Sequence, residues 1–131
     1  AAAVADYRPA EPAGSKIKKG GGRLTIELEK NPDILAMVAG GERRPFTVGF
    51  AAETEAVAEN ARRKLEDKHL DMIAANQVGD GQGFGAVENA LEVLWRGGGA
   101  SLGMTSKEKL ARGLIRIIAD RYHETRAGRP H

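Results

Sequence analysis

Pro45-Phe46-Thr47-Val48-Gly49-Phe50-Ala51-Ala52-Glu53-Thr54, a charged run, and then Leu70-Asp71-Met72-Ile73-Ala74-Ala75-Asn76 decide the fold. Phe46 to Ala51 is a short, nearly all-apolar run without charge, the pattern of a strand buried on both faces, as parallel strands are. Thr54 is placed to N-cap a helix directly behind it. From Glu55 to Lys68, Val57, Ala58, Ala61 and Leu65 keep a helical period with charges between them. Met72 to Ala75 then reads as the next strand. Strand, helix, strand in about 30 residues is a βαβ unit with a right-handed crossover. The expected fold class is therefore α/β.

The chain of 131 residues is long enough for one domain with a core. Hydrophobic residues make up 41% and charged ones 29%, a soluble globular composition. Twenty basic residues against 18 acidic ones leave a formal charge of +2, too balanced to argue for nucleic acid. The absence of cysteine excludes disulfides, thiolate metal sites and a cysteine nucleophile, and is compatible with a cytoplasmic protein. No apolar run reaches the length of a membrane span, so no membrane partner is expected.

Outward from the βαβ core, residues 1–6 read as the end of a strand that delivers Asp6 to the carboxyl edge of a parallel sheet, where ligands bind. The alternative is that Asp6 caps a turn. Residues 11–22 read as a flexible loop. Within it Lys16-Ile17-Lys18-Lys19 before three glycines is either an anion clamp or a solvated basic loop. Leu24 to Leu28 alternates as a half-exposed strand. Asn31 is expected to N-cap a helix with Pro32 at its first position and Ile34, Leu35 and Val38 inward; Gly40-Gly41 ends it. The free N–H groups at that start are able to take a phosphate, although most helix starts bind nothing. Lys64 and Lys68, four apart, share one helix face. They either complement the helix dipole, the ordinary explanation, or hold an anionic ligand.

Gly79-Asp80-Gly81-Gln82-Gly83-Phe84-Gly85 lacks the spacing of a dinucleotide fingerprint and reads as a loop. Ala90 to Arg96 and Ala100 to Met104 read as a small β-hairpin turning at Gly97-Gly98-Gly99. Thr105-Ser106-Lys107-Glu108 is a capping box opening an amphipathic helix with Leu110, Leu114, Ile117, Ile118 and Tyr122 inward. Residues 124–131 are a polar tail. His69, His123 and His131 show no ligand spacing, and no metal site is assigned to them.

Taken together, Ala2-Ala3-Val4-Ala5-Asp6-Tyr7-Arg8-Pro9, Lys16-Ile17-Lys18-Lys19, Lys30-Asn31-Pro32-Asp33-Ile34, Val48-Gly49-Phe50-Ala51-Ala52-Glu53-Thr54 and Leu70-Asp71-Met72-Ile73-Ala74-Ala75-Asn76 resemble one family. In that order they are similar to the bacterial phosphopantothenoylcysteine synthetase (phosphopantothenate–cysteine ligase), from residue 1 to about Tyr122. The resemblance implies a Rossmann-like three-layer α/β domain with a mostly parallel sheet, of which residues 1–131 are the C-terminal portion. It also implies a two-step reaction: CTP activates the carboxylate of 4′-phosphopantothenate as an acyl-cytidylate, and cysteine then attacks to release CMP. Mg²⁺ accompanies CTP, and FMN enters only if a flavin decarboxylase domain is fused upstream. The implied assembly is a cytoplasmic homodimer with small-molecule substrates.

Residue by residue, the resemblance matches Ala2 and Asp6 to nucleoside contacts and Lys16 to the lysine that steadies the reacting phosphate and carboxylate. It matches Pro32, Asp33, Ile34 and Leu35 to a nucleotide-binding helix start, Phe50, expected to end its strand at the ligand edge of the sheet, to an aromatic at the nucleotide site, and Lys64 and Lys68 to two lysines that approach the nucleotide. Asn76 ends its strand at the same edge without an assigned role. Two departures stand out. The loop after Lys19 is shorter than in some relatives. In addition, the family's first βα units, its Gly-rich turn and the asparagine that holds the acyl-cytidylate precede residue 1, so the 131-residue chain alone is expected to have little ligase activity. The competing readings are a Rossmann-type oxidoreductase, disfavoured by the missing glycine fingerprint, and a basic nucleic-acid-binding module, disfavoured by near-neutral charge and only six aromatic residues.

Overall fold

A computed structural model describes residues 3–79 and 88–128. It divides into two units, Ala1–Ile34 and Leu35–His131. In the first, β1 (Tyr7–Pro9) pairs antiparallel with β2 (Leu28–Lys30), Arg8 opposite Glu29. Bonds from Ala10 N to Glu27 O (3.0 Å) and from Asn31 N to Asp6 O (2.8 Å) extend the ladder at both ends. An exposed ion pair joins Arg8 to Glu29 at 2.8 Å.

This unit corrects three expectations. Residues 3–6 are exposed and outside any strand, so Asp6 precedes a two-stranded antiparallel ribbon rather than ending a buried parallel strand. The strand expected at Leu24 to Leu28 begins where that stretch ends. Asn31 is not an N-cap: its amide donates to Ala5 O (2.8 Å) and its oxygen accepts from Arg8 (2.9 Å). These long-range bonds take the side chain that the local pattern gives to a helix, and α1 (Ile34–Ala39) starts three residues later. As expected, it stops at the glycines, Gly40 N donating to Ala36 O at 2.9 Å.

In the second unit β3 (Val48–Glu53), α2 (Val57–Asp67) and β4 (Met72–Gln77) form the anticipated βαβ unit, β3 and β4 running parallel with Val48 opposite Met72 and Glu53 opposite Gln77. β5 (Glu88–Trp95) and β6 (Gly98–Ser106) continue the sheet in the order β3-β4-β5-β6. Both added pairings are antiparallel. The expected hairpin is therefore part of the main sheet, which is mixed, and parallel pairing among the described residues is confined to β3 and β4. Its turn is Arg96-Gly97; Gly97 takes the positive φ of 82° that suits glycine, while Gly98 and Gly99 lie in β6.

Strand parity builds three layers. On one face Ala51, Ile73, Ala75 and Leu94 pack with Ala61 and Leu65 of α2 and Ala39 of α1. On the other, Met72, Ala74 and Val93 pack against Leu114, with Ile117 and Ile118 beside them, on α3 (Lys107–Ala127). Met72 to Ala75 are buried without a break because both faces are covered. Burying a medium apolar side chain contributes roughly 1.5–3 kcal/mol, so these two clusters dominate the unit's stability.

Several boundaries move. β3 starts two residues later than expected, because Thr47 is held by Asp71 instead of continuing a ladder (N to Oδ2, 2.8 Å). Ala56, at φ 44°, precedes α2, so Thr54 is not its cap. At α3 the cap is Ser106, whose Oγ accepts from Lys109 N at 3.4 Å, one residue along from the expected box. The helix continues through Ala127 and takes in the first residues of the expected polar tail. The loop expected at Gly79 to Gly85 falls mostly outside the described residues.

Candidate functional site

α2 returns along the β3–β4 pair after leaving the carboxyl end of β3. Its half-buried and buried positions are Val57, Asn60, Ala61, Lys64, Leu65 and Lys68, whereas Arg62, Arg63, Glu66 and Asp67 are exposed. Lys64 and Lys68 thus border the packed stripe rather than the solvent side, about 6 Å apart along the axis. The helix closes after them by a Schellman arrangement: Leu70 N donates to Leu65 O at 3.0 Å and His69 N to Glu66 O at 3.1 Å. His69 occupies the left-handed position with φ 55°.

Glu53, the last residue of β3, follows Gly49 and Ala51 on the α2 face of the sheet. Its carbonyl accepts from Val78 N at 2.8 Å, tying the ends of β3 and β4 together. Its carboxylate pairs with Lys64 Nζ. The Glu53 side chain is 13% exposed and that of Lys64 42%, so the pair sits at the surface end of the core. Local sequence patterns do not single out Glu53. Strand parity is the available signal, since Gly49, Ala51 and Glu53 share the helix-facing side.

Phe50 lies in the middle of β3, not at its end as expected, because the strand runs on to Glu53. It shares a face with Val48, opposite to Glu53 and Lys64, and is 61% exposed. Asn76 is half-buried next to the last residue of β4, opposite Ala52. Leu35 packs into the α2-side cluster. Lys64 is therefore brought to Glu53, with Phe50 on the other face, while Lys68 caps α2 one turn further on, shortly before β4 begins. Asp6, Lys16, Pro32, Asp33 and Ile34 belong to the first unit, where all five are exposed and Lys16 lies in a stretch without helix or strand. Ala2 is outside the described residues.

A groove of about 490 Å³ opens near the amino ends of β3 and β4, lined by Arg44, Phe46, Asp71, Tyr122 and Arg126 among others. Its cations are engaged. Arg44 donates to Asp71 (2.6 Å) and to His69 O (2.7 Å). Arg126 donates to Tyr122 Oη (2.8 Å), whose ring stands edge-on to Phe46 with centroids 5.7 Å apart. Here Asp71 also accepts from Thr47 Oγ1 at 3.1 Å, which makes this cluster a structural latch. Because ligands of open α/β sheets bind beyond the carboxyl ends of the parallel strands, the carboxyl end of β3 and β4, which Lys64 reaches through Glu53, is the better candidate for binding an anion.

Among the described residues no group of three or more His, Asp or Glu side chains is arranged to hold a metal ion. None of the described helices is long and apolar enough to cross a membrane.

Comparison with known proteins supplies the context for these positions. The model of a family described as the DNA/pantothenate metabolism flavoprotein C-terminal domain matches residues 1–122. A Haemophilus influenzae protein named coenzyme A biosynthesis bifunctional protein CoaBC is 53% identical over 125 residues, covering 95% of this chain and 31% of the relative. The protein of the same name from Escherichia coli K12 is 49% identical over 128 residues, 94% of this chain and 32% of the relative. The chain thus spans about a third of the length of these curated relatives. Among solved structures, the C-terminal domain of a CoaBC protein superposes with a TM-score of 0.69 at 31% identity, covering 94% of this chain and 53% of that one. A Streptococcus pneumoniae DNA/pantothenate metabolism flavoprotein matches in fold, with a TM-score of 0.65 at 19% identity over 90% of this chain and 60% of that one.

Proposed function

The chain belongs to the DNA/pantothenate metabolism flavoprotein C-terminal domain family, and from that premise we propose that it forms part of a CTP-dependent ligase joining 4′-phosphopantothenate to cysteine. The observation that carries this reading is the family match over residues 1–122. The paired Lys64 at the carboxyl end of the parallel strands supports it, since ligands of open α/β sheets bind at that end. The substrate carboxylate attacks the α-phosphorus of CTP, the bond to the β-phosphate breaks, and pyrophosphate leaves. The cysteine nitrogen then attacks the acyl carbonyl, loses a proton, and CMP departs as the amide forms.

In this scheme Lys16 places its ammonium against the charge that grows on the α-phosphate, lowering the barrier electrostatically. Lys64 and Lys68 bind the nucleotide phosphates as point charges. Ala2, Asp6, Pro32, Asp33, Ile34, Leu35 and Phe50 contact the rest of the nucleotide. The described residues do not fit a metal site of the chain's own, and no step here runs through Mg²⁺. The working protein is a cytoplasmic homodimer, with a flavin decarboxylase segment in the same polypeptide where the fusion seen in the relatives' bifunctional name holds.

The test is Lys16→Gln, made in the protein with whatever flanking sequence its gene encodes. Pyrophosphate release that depends on 4′-phosphopantothenate should fall by about 100- to 1,000-fold, the usual effect of removing one such donor. Stability should change by less than about 0.5 kcal/mol, because an exposed loop lysine is replaced. Wild-type turnover by the variant would remove Lys16 from the reaction.

A further inference from the structure

We infer that Glu53 is a positioning residue that holds Lys64 ready for a nucleotide phosphate, a role that rests on the ligase reading. A carboxylate only 13% exposed at the end of a strand requires a partner, and Lys64 is that partner. Three features make the pair more than a surface ion pair. Glu53 is anchored at both levels, its carbonyl accepting from Val78 N while its side chain pairs with Lys64 of α2. Lys64 is half-buried and stands between Ala61 and Leu65, both buried, on the packed side of α2. An ammonium carries three donors, and Glu53 uses one, leaving two directed by the same anchor.

A lysine fixed in advance gives up less rotamer freedom when the phosphate arrives than a free one does. Protein kinases divide the work in the same way, a glutamate on a helix holding the lysine that reaches the nucleotide phosphates. Here the order is reversed, with the glutamate on the strand and the lysine on the helix. Glu53 touches no phosphate itself. Its effect passes through Lys64.

The experiment is a calorimetric titration of CTP with Mg²⁺ into the wild type, Glu53→Gln, Lys64→Met and the double variant, each in the protein with its native flanking sequence. Glu53→Gln should weaken CTP binding about tenfold, because the ion pair that holds the ammonium becomes a weaker ammonium–amide bond. In the Lys64→Met background the same substitution should change affinity less than about twofold, since there is no lysine left to position. Glu53→Asp, which keeps the charge but is one methylene shorter, should fall between wild type and Glu53→Gln, and carries the test if the Gln variant fails to fold. An equal loss in both backgrounds would assign Glu53 a merely structural role and overturn the inference alone, as would unchanged CTP affinity. Failure of the wild type to bind CTP would overturn the ligase reading, and this role with it.

Discussion

Asp71→Asn perturbs the latch that sets the amino edge of the sheet. In the wild type one oxygen accepts from Arg44 Nη2 at 2.6 Å, and the other from Thr47 N at 2.8 Å and Thr47 Oγ1 at 3.1 Å. Asparagine keeps the shape but has one acceptor and one donor. If its oxygen faces Thr47, its NH₂ points at the Arg44 guanidinium, a donor against a donor. Bonds to a charged group contribute about 1.5–3 kcal/mol each, and breaking a buried ion pair costs about 3–5 kcal/mol.

Two features of the latch reduce that loss. The Arg44 side chain is 30% exposed, and Arg44 keeps its bond to His69 O. Solvent screening and the remaining partner bring the expected loss to about 2 kcal/mol. With a urea slope of about 1–3 kcal/mol/M, the unfolding midpoint should fall by roughly 1 M. Far-UV circular dichroism against urea at pH 7 reads this directly. A double-mutant cycle with Arg44→Met should give a coupling above about 1 kcal/mol. A midpoint within about 0.2 M of wild type, or additive single effects, would refute the latch.

Two further substitutions probe the backbone and the packing. His69→Gly relieves a non-glycine residue at φ 55° in the Schellman turn that closes α2, and should raise stability by about 0.5–1 kcal/mol in the same urea assay. A loss instead would mean that the imidazole contributes more than the strain costs. Gly49→Val should destabilise by about 2 kcal/mol, because even a Cβ at this position lies 2.7 Å from Leu70 Cδ1 and 3.2 Å from Leu35 Cδ2 in the α2-side core; a neutral result would show that this face of β3 is loosely packed.

The βαβ unit is legible in the sequence because its signals are local. Phe46 to Ala51 and Met72 to Ala75 are apolar on both faces, and the stripe from Val57 to Leu65 has the helical period. What the sequence hides is set by partners far along the chain. Asn31-Pro32 satisfies every local rule for a helix start, yet Ala5 O and Arg8 claim the Asn31 side chain. Thr47 looks like strand, yet Asp71 takes its N–H. The same holds for the candidate site. The spacing of Lys64 and Lys68 puts them on one face, and a dipole explanation fits that spacing equally well; the pairing of Lys64 with Glu53 is what the spacing does not show. Glu53 is invisible to local patterns because its importance depends on strand parity and helix phase together. The apolar run reads as a strand ending at Ala51, which puts Phe50 at the sheet edge, whereas pairing with β4 carries the strand on to Glu53.

The central claim, that this chain belongs to a CTP-dependent phosphopantothenate–cysteine ligase, is tested most directly by product analysis. The protein, expressed with its native flanking sequence, is incubated with 4′-phosphopantothenate, cysteine, CTP and Mg²⁺, with ATP replacing CTP as control, and the products are resolved by mass spectrometry. The expected products are 4′-phosphopantothenoylcysteine and CMP in equal amounts, with pyrophosphate released even when cysteine is omitted. Amide formed with release of CDP and phosphate, or no amide from a folded protein under these conditions, would contradict it.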